Sequence, residues 1–393
     1  MAKFFKSVLM FAVIVFAYGC SSNSETTPSA KRTVLIYIAA NNDLSGYAHS
    51  NITDMIYGAA DCNLKNDNLI VYFAVPNENP KLYRIDKNGK ELVKSYPEQY
   101  SLQPDVMANV MTDVREAYPA PSNGVIFWSH GYGWMEKKIY STRSAGDSDE
   151  GSPHPMTKNF GVDNLATGGI SAETIASLLP DNAYDFIGFD ACLMGAIEVV
   201  WPLRDKCKYF LGSVAEILAD GLPYRKIISH LFEENKAYLD SIASKYYQTY
   251  RFQKQSAYDR SATIAVVDCQ QLEPLAAELK RLANKYSDTT IDLNKVQWFD
   301  RVSYGNHFAF DLADFVDNLC GNMTEKQTFY ELLDKAIPAK YSTPTLWKGD
   351  WRGRDITVKK YSGLSIFIPM TNEPATTMEA YKKTDWYKYF YQN

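Results

Sequence analysis

The chain has 393 residues, 46% of them hydrophobic, which is enough for a large buried core and about two domains' worth of sequence. Its formal net charge is −5, and no long basic stripe interrupts the sequence. Binding to a nucleic-acid backbone is therefore not expected, because that contact needs a concentrated positive surface.

The N-terminus has the pattern of an export signal. Lys3 and Lys6 precede an apolar run over residues 8–16, and small residues follow before Cys20. This run is too short to cross about 30 Å of hydrocarbon, so a retained transmembrane helix is not predicted. The order Ala-Tyr-Gly-Cys resembles a bacterial lipoprotein signal. We expect a signal peptide over residues 1–19, a lipid-modified Cys20, and an exported protein held at a periplasmic or cell-surface membrane.

Residues 20–32 contain the polar stretch SSNSETTPSAKR, whose composition is typical of a flexible tether. The folded part is predicted to begin near residue 33. Beyond this tether lie five cysteines without the spacing of a zinc site. They are Cys62, Cys192, Cys207, Cys269 and Cys320. An odd number of cysteines in an exported protein leaves at least one free thiol.

Five short apolar segments are the strand candidates between residues 33 and 231. They read TVLIYIAA, LIVYFAV, VIFWSHG, YDFIGFDAC and YFLGSVAE. The segments between them have the apolar spacing of helices, over residues 50–60, 105–117, 171–179 and 194–203. Alternating strands and helices predict an α/β fold with a largely parallel central sheet flanked by helices. The right-handed crossover rule then brings the carboxyl ends of neighbouring strands to one edge.

Two further regions complete the predicted organisation. A polar insert over residues 136–166 interrupts the core, which we place at residues 33–256. Residues 257–393 form a C-terminal region packed on that core, with a strand in SATIAVVDC, a helix over 269–286, and the segments LADFVDNL and SGLSIFIP.

His130 and Cys192 each follow an apolar strand candidate, so the predicted sheet places both at the same edge. A histidine is the commonest partner that converts a cysteine into a nucleophile. Gly131 and Gly133 beside the histidine would let a substrate backbone approach closely. Taken singly, each residue is better explained by packing, with Cys192 as a small buried hydrophobe and His130 as a hydrogen-bonded core or surface residue. The two together favour the catalytic interpretation.

The combination of an apolar block ending in His-Gly with one ending in Asp-Ala-Cys resembles the clostripain family of clan CD cysteine peptidases, relatives of caspases, gingipains and legumain. Further segments resemble the same family between about residues 33 and 370: YIAANNDLS, NPKLYRI, SVAEILADGLPY, LADFVDNL and SGLSIFIP. The resemblance implies a caspase-like three-layer fold with a C-terminal extension. It also implies an endopeptidase that cleaves after Arg, with Lys second.

Residue by residue, the resemblance implies that Cys192 is the nucleophile and His130 the base and acid. The backbone amides of Gly131 and Cys192 would form the oxyanion site, and Asp190 would lie in the S1 pocket. A carboxylate there would pair with a basic P1 side chain. Asp190 is also interpretable as the N-cap of the helix that follows Cys192.

Four other polar positions match loops near the site in the family. Glu216 and Asp220 lie where the S1 wall is expected, although ILADGLPY departs from the family's Glu-Pro-Gly-rich turn and Trp. We favour a solvated loop charge for both acids, since Asp and Glu are mostly exposed. Asn42 is a third candidate for substrate binding. The roles of Asn42 and Asp43 stay open because both residue types also favour turns.

The resemblance further implies maturation by self-cleavage between the His and Cys strands. We predict cleavage after Arg143, with Lys158 as the alternative, because exposed polar loops are readily nicked. Some relatives depend on calcium, and Asp147, Asp149 and Glu150 offer oxygen ligands, but they lack the 12-residue EF-hand loop. We therefore expect no metal or organic cofactor.

The remaining histidines are predicted to have surface or packing roles. They are His49, His154, His230 and His307. Two other functions stay open beside peptide hydrolysis. One is a surface-binding lipoprotein that keeps the fold without turnover. The other is a different thiol hydrolase or transferase that uses the same pair of residues.

Overall fold

The computed structural model describes residues 30–392 except 63, 65, 137–138, 141–168, 234–237, 303–305 and 351–352. The predicted signal peptide and Cys20, most of the insert with Arg143 and Lys158, and the acidic run 147–150 lie outside the described residues. Within the described part, no helix is both long and apolar enough to span a membrane.

The centre of the fold is a sheet of nine strands among the described residues, in the order β10-β8-β7-β6-β5-β1-β2-β3-β4. Its strands are β1 (Arg32–Ala39), β2 (Asn68–Ala74), β3 (Lys81–Asp86), β4 (Gly89–Ser95), β5 (Ser122–Trp128), β6 (Tyr184–Asp190), β7 (Cys207–Gly212), β8 (Thr263–Asp268) and β10 (Ala339–Ser342). The five central strands β7, β6, β5, β1 and β2 are parallel, and the outer strands on both sides are antiparallel.

The central strands are almost continuously apolar because both faces of the sheet are covered. Every residue of β2 is buried, as are seven of the eight residues of β1. Such strands lack the alternation of a half-exposed strand, which is typical of parallel sheets between helices. All five predicted strands of the core are present, and the α/β, caspase-like class is confirmed.

Helices pack on this sheet in separate groups. They are α1 (Ser45–Asp61), α2 (Pro104–Ala117), α3 (Ala172–Leu178), α4 (Ile197–Leu203), α5 (Tyr224–Leu231), α6 (Tyr238–Gln248), α7 (Leu272–Lys285), α8 (Leu312–Leu319), α9 (Met323–Ala336), α10 (Ala375–Tyr381) and α11 (Asp385–Tyr391). Helix α1 packs on α5, which packs on α6, whereas α2, α3, α4 and α11 contact one another in sequence. Helix α7 contacts α8 and α9.

The C-terminal region continues the main sheet through β8 and β10, both of which lie beyond residue 257. Two short pairs complete it, β9 (Phe310–Asp311) with β13 (Ser365–Ile366), and β11 (Thr345–Leu346) with β12 (Ile356–Thr357). The amide of Ser365 donates to the Gly195 carbonyl at 3.0 Å. The C-terminal region is thereby tied to the turn that follows the β6 strand end.

The helix predicted over residues 194–203 begins three residues later, at Ile197. Leu193 has φ 63°, and the Gly195 amide donates to the Ser213 carbonyl at 2.7 Å. The chain therefore turns sharply after Cys192 before the helix starts, and this turn presses the segment against the loop after β7.

Candidate active site

The site lies at the carboxyl edge of the sheet, where β5 and β6 end side by side. Trp128 pairs with Asp190 in parallel register, so His130 and Cys192 follow two residues beyond a matched pair. A Cβ atom added to Gly131 would lie 2.2 Å from the Cys192 carbonyl oxygen and 2.7 Å from its nitrogen. Only glycine permits this approach. The segments that follow the two strands are therefore in contact, and the backbone amides of Gly131 and Cys192 lie close together.

Cys192 is completely buried. Its Sγ accepts a hydrogen bond from the Ile217 amide at 3.1 Å and lies 3.5 Å from the Ile217 carbonyl oxygen. The neighbouring Leu193 amide donates to Ala215 at 3.0 Å. Ala215 and Ile217 of the loop after β7 thus contact the Cys192 segment, and the thiol is buried beneath this loop.

His130 is 5% exposed, and its Nε2 lies 2.6 Å from Oδ1 of Asp43. Asp43 comes from the loop after β1, the strand paired with β5. Its neighbour Asn42 is buried and shapes that loop: Oδ1 accepts from the Leu44 amide at 2.9 Å, and Nδ2 lies 3.4 Å from the Ala39 carbonyl. Asn42 therefore has the turn geometry that asparagine favours, while Asp43 is the residue that contacts the histidine.

Asp190 lies beneath the site with its carboxylate fully buried. Its Oδ2 accepts hydrogen bonds from the Leu222 amide at 3.1 Å and from the Tyr224 hydroxyl at 2.9 Å. Burial and the nearby Asp190 raise the pKa of Tyr224 well above its usual value, so the phenol remains a donor. The N-cap interpretation of Asp190 is wrong, because α4 begins at Ile197 with Ala196 as its N-cap residue.

Asp220 occupies the loop between β7 and α5, and its side chain is 43% exposed. It forms an ion pair with Lys254, whose ammonium also lies 5.2 Å from the centre of the Tyr250 ring. The Asp220 carbonyl accepts from Nδ2 of Asn51 at 3.1 Å. Asp220 thus lies on a loop held by hydrogen bonds, and its carboxylate still faces solvent. The prediction of a solvated charge is correct about this exposure, but it did not include the ion pair with Lys254.

Glu216 is buried, so its interpretation as a solvated loop charge is wrong. Its two oxygens accept from the Tyr140 hydroxyl at 2.7 Å and from Nη1 of Arg301 at 3.3 Å. Arg301 also bonds Asp350 at 2.7 Å, and Asp350 accepts from Nε of Arg354 at 2.9 Å. A buried carboxylate needs such partners, since an isolated charge would be costly in the interior.

Tyr140 connects the beginning of the insert to this cluster. Burial is the largest cause that raises its pKa well above the usual value, followed by Glu216, with Cys192 a smaller contributor. Its ring packs against Tyr132 with centroids 4.8 Å apart. Burial likewise raises the pKa of Tyr132, with Asp43 and Cys192 as further causes. Two tyrosines therefore lie against the His130 and Cys192 region.

Several of these contacts have no local signal in the sequence. The GYG motif after His130 could have pointed to Tyr132, whereas Lys254, Arg301 and Tyr140 reach the site only through the fold. Among the described residues, no group of three or more His, Cys, Asp or Glu side chains could hold a metal ion.

The other described histidines lie in packing or surface contacts. His230 lies 2.6 Å from Glu233, His307 lies 2.8 Å from Asp300 and stacks on Trp298, and His49 is exposed with its ring edge near Phe73. His154 lies outside the described residues. The cysteines in the described part are free thiols, and the sulfurs of Cys207 and Cys269 are 3.7 Å apart.

Comparison with known proteins identifies relatives along nearly the whole folded part. The sequence model of the clostripain family matches residues 36–392. The chain is 31% identical to an inactive zymogen of a C11 protease from Parabacteroides distasonis, with a TM-score of 0.78 over 92% of this chain and 99% of that one. A secreted C11 cysteine protease from Bacteroides thetaiotaomicron, in complex with an irreversible peptide inhibitor, is 28% identical, with a TM-score of 0.75 over 91% and 98%.

A curated relative is similar over a shorter span. Clostripain of Hathewaya histolytica is 26% identical over 243 residues, which cover 54% of this chain and 44% of that relative. The chain thus aligns with less than half the length of this curated protein.

Proposed function

Because the chain belongs to the clostripain family, a family of cysteine endopeptidases, we propose that it hydrolyses peptide bonds with Cys192 as nucleophile and His130 as general base and acid. The observation that carries this proposal is the contact between the ends of β5 and β6, where Gly131 touches the Cys192 backbone. A nucleophile and its base must meet in space, and adjacent parallel strand ends bring them together.

In the proposed reaction, His130 accepts the Cys192 thiol proton as the sulfur attacks the carbonyl carbon of the scissile bond. The tetrahedral oxyanion is stabilised by the amides of Gly131 and Cys192. His130 then protonates the leaving amine, and the C–N bond breaks to leave a thioester. Water, deprotonated by His130, attacks the thioester, releasing the acid and restoring the thiol. His130 contacts Asp43 through Nε2, and we assign the proton exchange with the sulfur to Nδ1.

Specificity for Arg, with Lys second, is proposed to arise from acids on the β7 side of Cys192. Among Asp190, Glu216 and Asp220, only Asp220 combines a position in the loop beside the nucleophile with a half-exposed side chain. A P1 cation would replace Lys254 as the partner of Asp220. Asp190 supports the same loop by accepting from Leu222 and Tyr224. Glu216 is committed to Arg301 and Tyr140.

The direct test of this function is hydrolysis of three fluorogenic amides that end in Arg, Lys or Ala at P1. We expect turnover in the order Arg, Lys, Ala, with activity unchanged by a metal chelator. Transfer of the acyl group from the thioester to an acceptor other than water would indicate a different thiol enzyme. Specific peptide binding without any turnover would indicate the surface-binding alternative.

Asp43→Asn is expected to lower kcat/KM for the Arg amide by about tenfold. Asparagine can still accept from Nε2, but it lacks the charge that stabilises the imidazolium formed during the reaction. The effect is smaller than at a buried carboxylate because Asp43 is 56% exposed. Kinetics with the Arg amide provide the measurement, and Asp334→Asn, an exposed aspartate on α9, is the matched control. A rate equal to that of the control would contradict a positioning role.

Autoprocessing after Arg143 is proposed as the activating step. Its support is the complete burial of Cys192 together with the Tyr140 contact to Glu216 at the start of the insert. Purified wild type is expected to separate into two chains on a denaturing gel, with a new N-terminus at Ser144. Arg143→Ala should abolish that cut or shift it to Lys158. Wild type that remains one chain while cleaving Arg substrates would refute the proposal.

Export and anchoring through Cys20 are proposed from the N-terminal signal pattern. A relative described as secreted supports export, and the polar tether over residues 20–32 suits a membrane-held enzyme. The wild type is expected in the membrane fraction and Cys20→Ala in the soluble fraction. Equal partitioning of both would contradict a lipid anchor.

A further inference from the structure

A cleft opens at the carboxyl edge of the sheet on the side of the site opposite to Asp220. It encloses about 370 Å³ at the ends of β1 and β2 and beside the segment after β4. Its lining includes Asn41, Asn77, Glu78, Glu98 and Gln99. No step of the reaction described above involves these residues.

The sheet register places this cleft in line with the reacting residues. Ala39 of β1 pairs with Ala74 of β2, and Ile38 pairs with Trp128 of β5. Neighbouring strands are about 4.8 Å apart, so β2 ends about 10 Å beyond the strand that carries His130. Asn41 in the cleft wall is two residues before Asp43, which contacts His130.

The direction of the proposed reaction decides which half of a substrate lies on this side. The P1 side chain points toward Asp220, beyond β6 and β7. His130 protonates the leaving amine, so the segment after the scissile bond begins at His130 and departs on the β1 side. An extended peptide advances about 3.3 Å per residue. About three residues therefore reach from His130 to the cleft.

We propose that this cleft binds the P2′ to P4′ residues of the substrate and selects cationic or polar side chains there. The inference rests on the proposed peptidase function. It assigns to the cleft a second specificity subsite, separate from the P1 pocket.

The charged and amide groups of the cleft indicate which substrate side chains it would bind. Glu78 is already paired with Lys81 at 2.6 Å. Glu98 is exposed, and within the described residues no cation lies within ion-pair distance of it. Asn41, Asn77 and Gln99 add amide groups that can hydrogen-bond a peptide backbone. Asn77 has φ 62°, a left-handed conformation that asparagine adopts more readily than most residues, in the turn after β2. A cleft with one unneutralised carboxylate should favour a lysine or arginine over an acid.

The test compares internally quenched peptides with one fluorogenic amide. All have the same residues up to a P1 arginine. One peptide carries Lys at P2′ to P4′, the other carries Glu there, and the amide has no residue beyond P1. Because Lys is itself the second choice at P1, mass spectrometry counts only the product that is cut after the P1 arginine. We expect wild type to cleave the Lys peptide with a kcat/KM about tenfold above that of the Glu peptide. In Glu98→Gln this ratio should fall to about twofold.

Glu91→Gln, which removes an exposed carboxylate from β4 outside the cleft, is the matched control and should keep the wild-type ratio. The amide rate of each variant reports whether its active site is intact. A wild-type ratio near one, or a ratio unaltered by Glu98→Gln, would overturn the subsite. Failure of wild type to hydrolyse the amide would refute the proposed peptidase function itself, and the subsite with it.

Discussion

Cys192→Ala is expected to lower kcat/KM for an arginine-ended amide by at least about four orders of magnitude. Among the described residues, the serines that follow β5 and β7, Ser129 and Ser213, donate their hydroxyls to the carbonyls of Ala39 and Ala215. The residual rate would come from substrate binding and the oxyanion site alone.

The alanine variant should keep its fold, so the loss can be assigned to chemistry. Cys192 is completely buried, and truncation to alanine removes one atom at a cost of about 1 kcal/mol in unfolding free energy. The Ile217 amide loses the sulfur as its acceptor, which is a local change. A thermal melt measures this cost independently of activity.

Cys62→Ala is the matched control. Cys62 is a half-buried thiol at the end of α1, so its removal tests for a general effect of thiol loss. It should keep wild-type turnover. The expected loss of about four orders of magnitude leaves about 0.01% of the wild-type activity. If Cys192→Ala kept more than about one per cent, another nucleophile would carry the reaction. Mass spectrometry of the products would separate hydrolysis from acyl transfer to another thiol.

Asp220→Asn is expected to lower kcat/KM for an Arg substrate by about a thousandfold, equivalent to about 4 kcal/mol of transition-state stabilisation. Two effects act in the same direction. The P1 guanidinium loses its ionised partner, and Lys254, which pairs with Asp220, remains in the pocket with the same sign of charge as the substrate. An Ala-ended substrate should be affected little, because it uses neither charge.

Variants of Lys254 test the role of Asp220 more specifically than the removal of its charge alone. Lys254→Met alone should improve kcat/KM for Arg, since P1 would no longer compete with an internal ammonium for Asp220. The double variant Asp220→Asn/Lys254→Met should recover part of the loss seen in Asp220→Asn. This recovery separates repulsion by Lys254 from the loss of attraction to Asp220.

Asp61→Asn is the matched control for Asp220, because Asp61 also forms an exposed ion pair, with Arg225 at 2.9 Å. It should leave the ratio of Arg to Ala cleavage unchanged. If Asp220→Asn behaved like this control, the P1 charge would be recognised elsewhere at the β6 and β7 edge, and the assignment of Asp220 would be wrong.

The fold was predictable because its elements have strong local patterns. The runs VIFWS and FIGFD are long enough, and apolar enough, to indicate buried strands, and both are strands in the structure. The helix over residues 105–117 is likewise present as α2, Pro104–Ala117. The position of α4 was less predictable, because the turn at Leu193 depends on bonds to Ala215 and Ser213 in a distant loop.

The environments of the three acids near the site could not be predicted from the sequence. Asp190, Glu216 and Asp220 have the same chemistry and lie near one another in the chain, yet their surroundings differ. Asp190 is buried under Tyr224, Glu216 is buried against Arg301, and Asp220 faces solvent beside Lys254. Nothing local distinguishes them, because the partners of these side chains are at least 32 residues away for Asp190, 34 for Asp220 and 76 for Glu216.

By itself, the sequence determined the α/β class and the placement of His130 and Cys192 at one sheet edge. Apolar periodicity encodes the strands, and right-handed crossovers align their carboxyl ends. Only the tertiary structure decided that Asp43 contacts His130, that Tyr140 and Arg301 hold Glu216, and that Asp220 faces solvent. Those contacts join side chains on loops whose shapes depend on packing across the whole sheet. Such packing produces no periodic pattern in the sequence from which the contacts could be predicted.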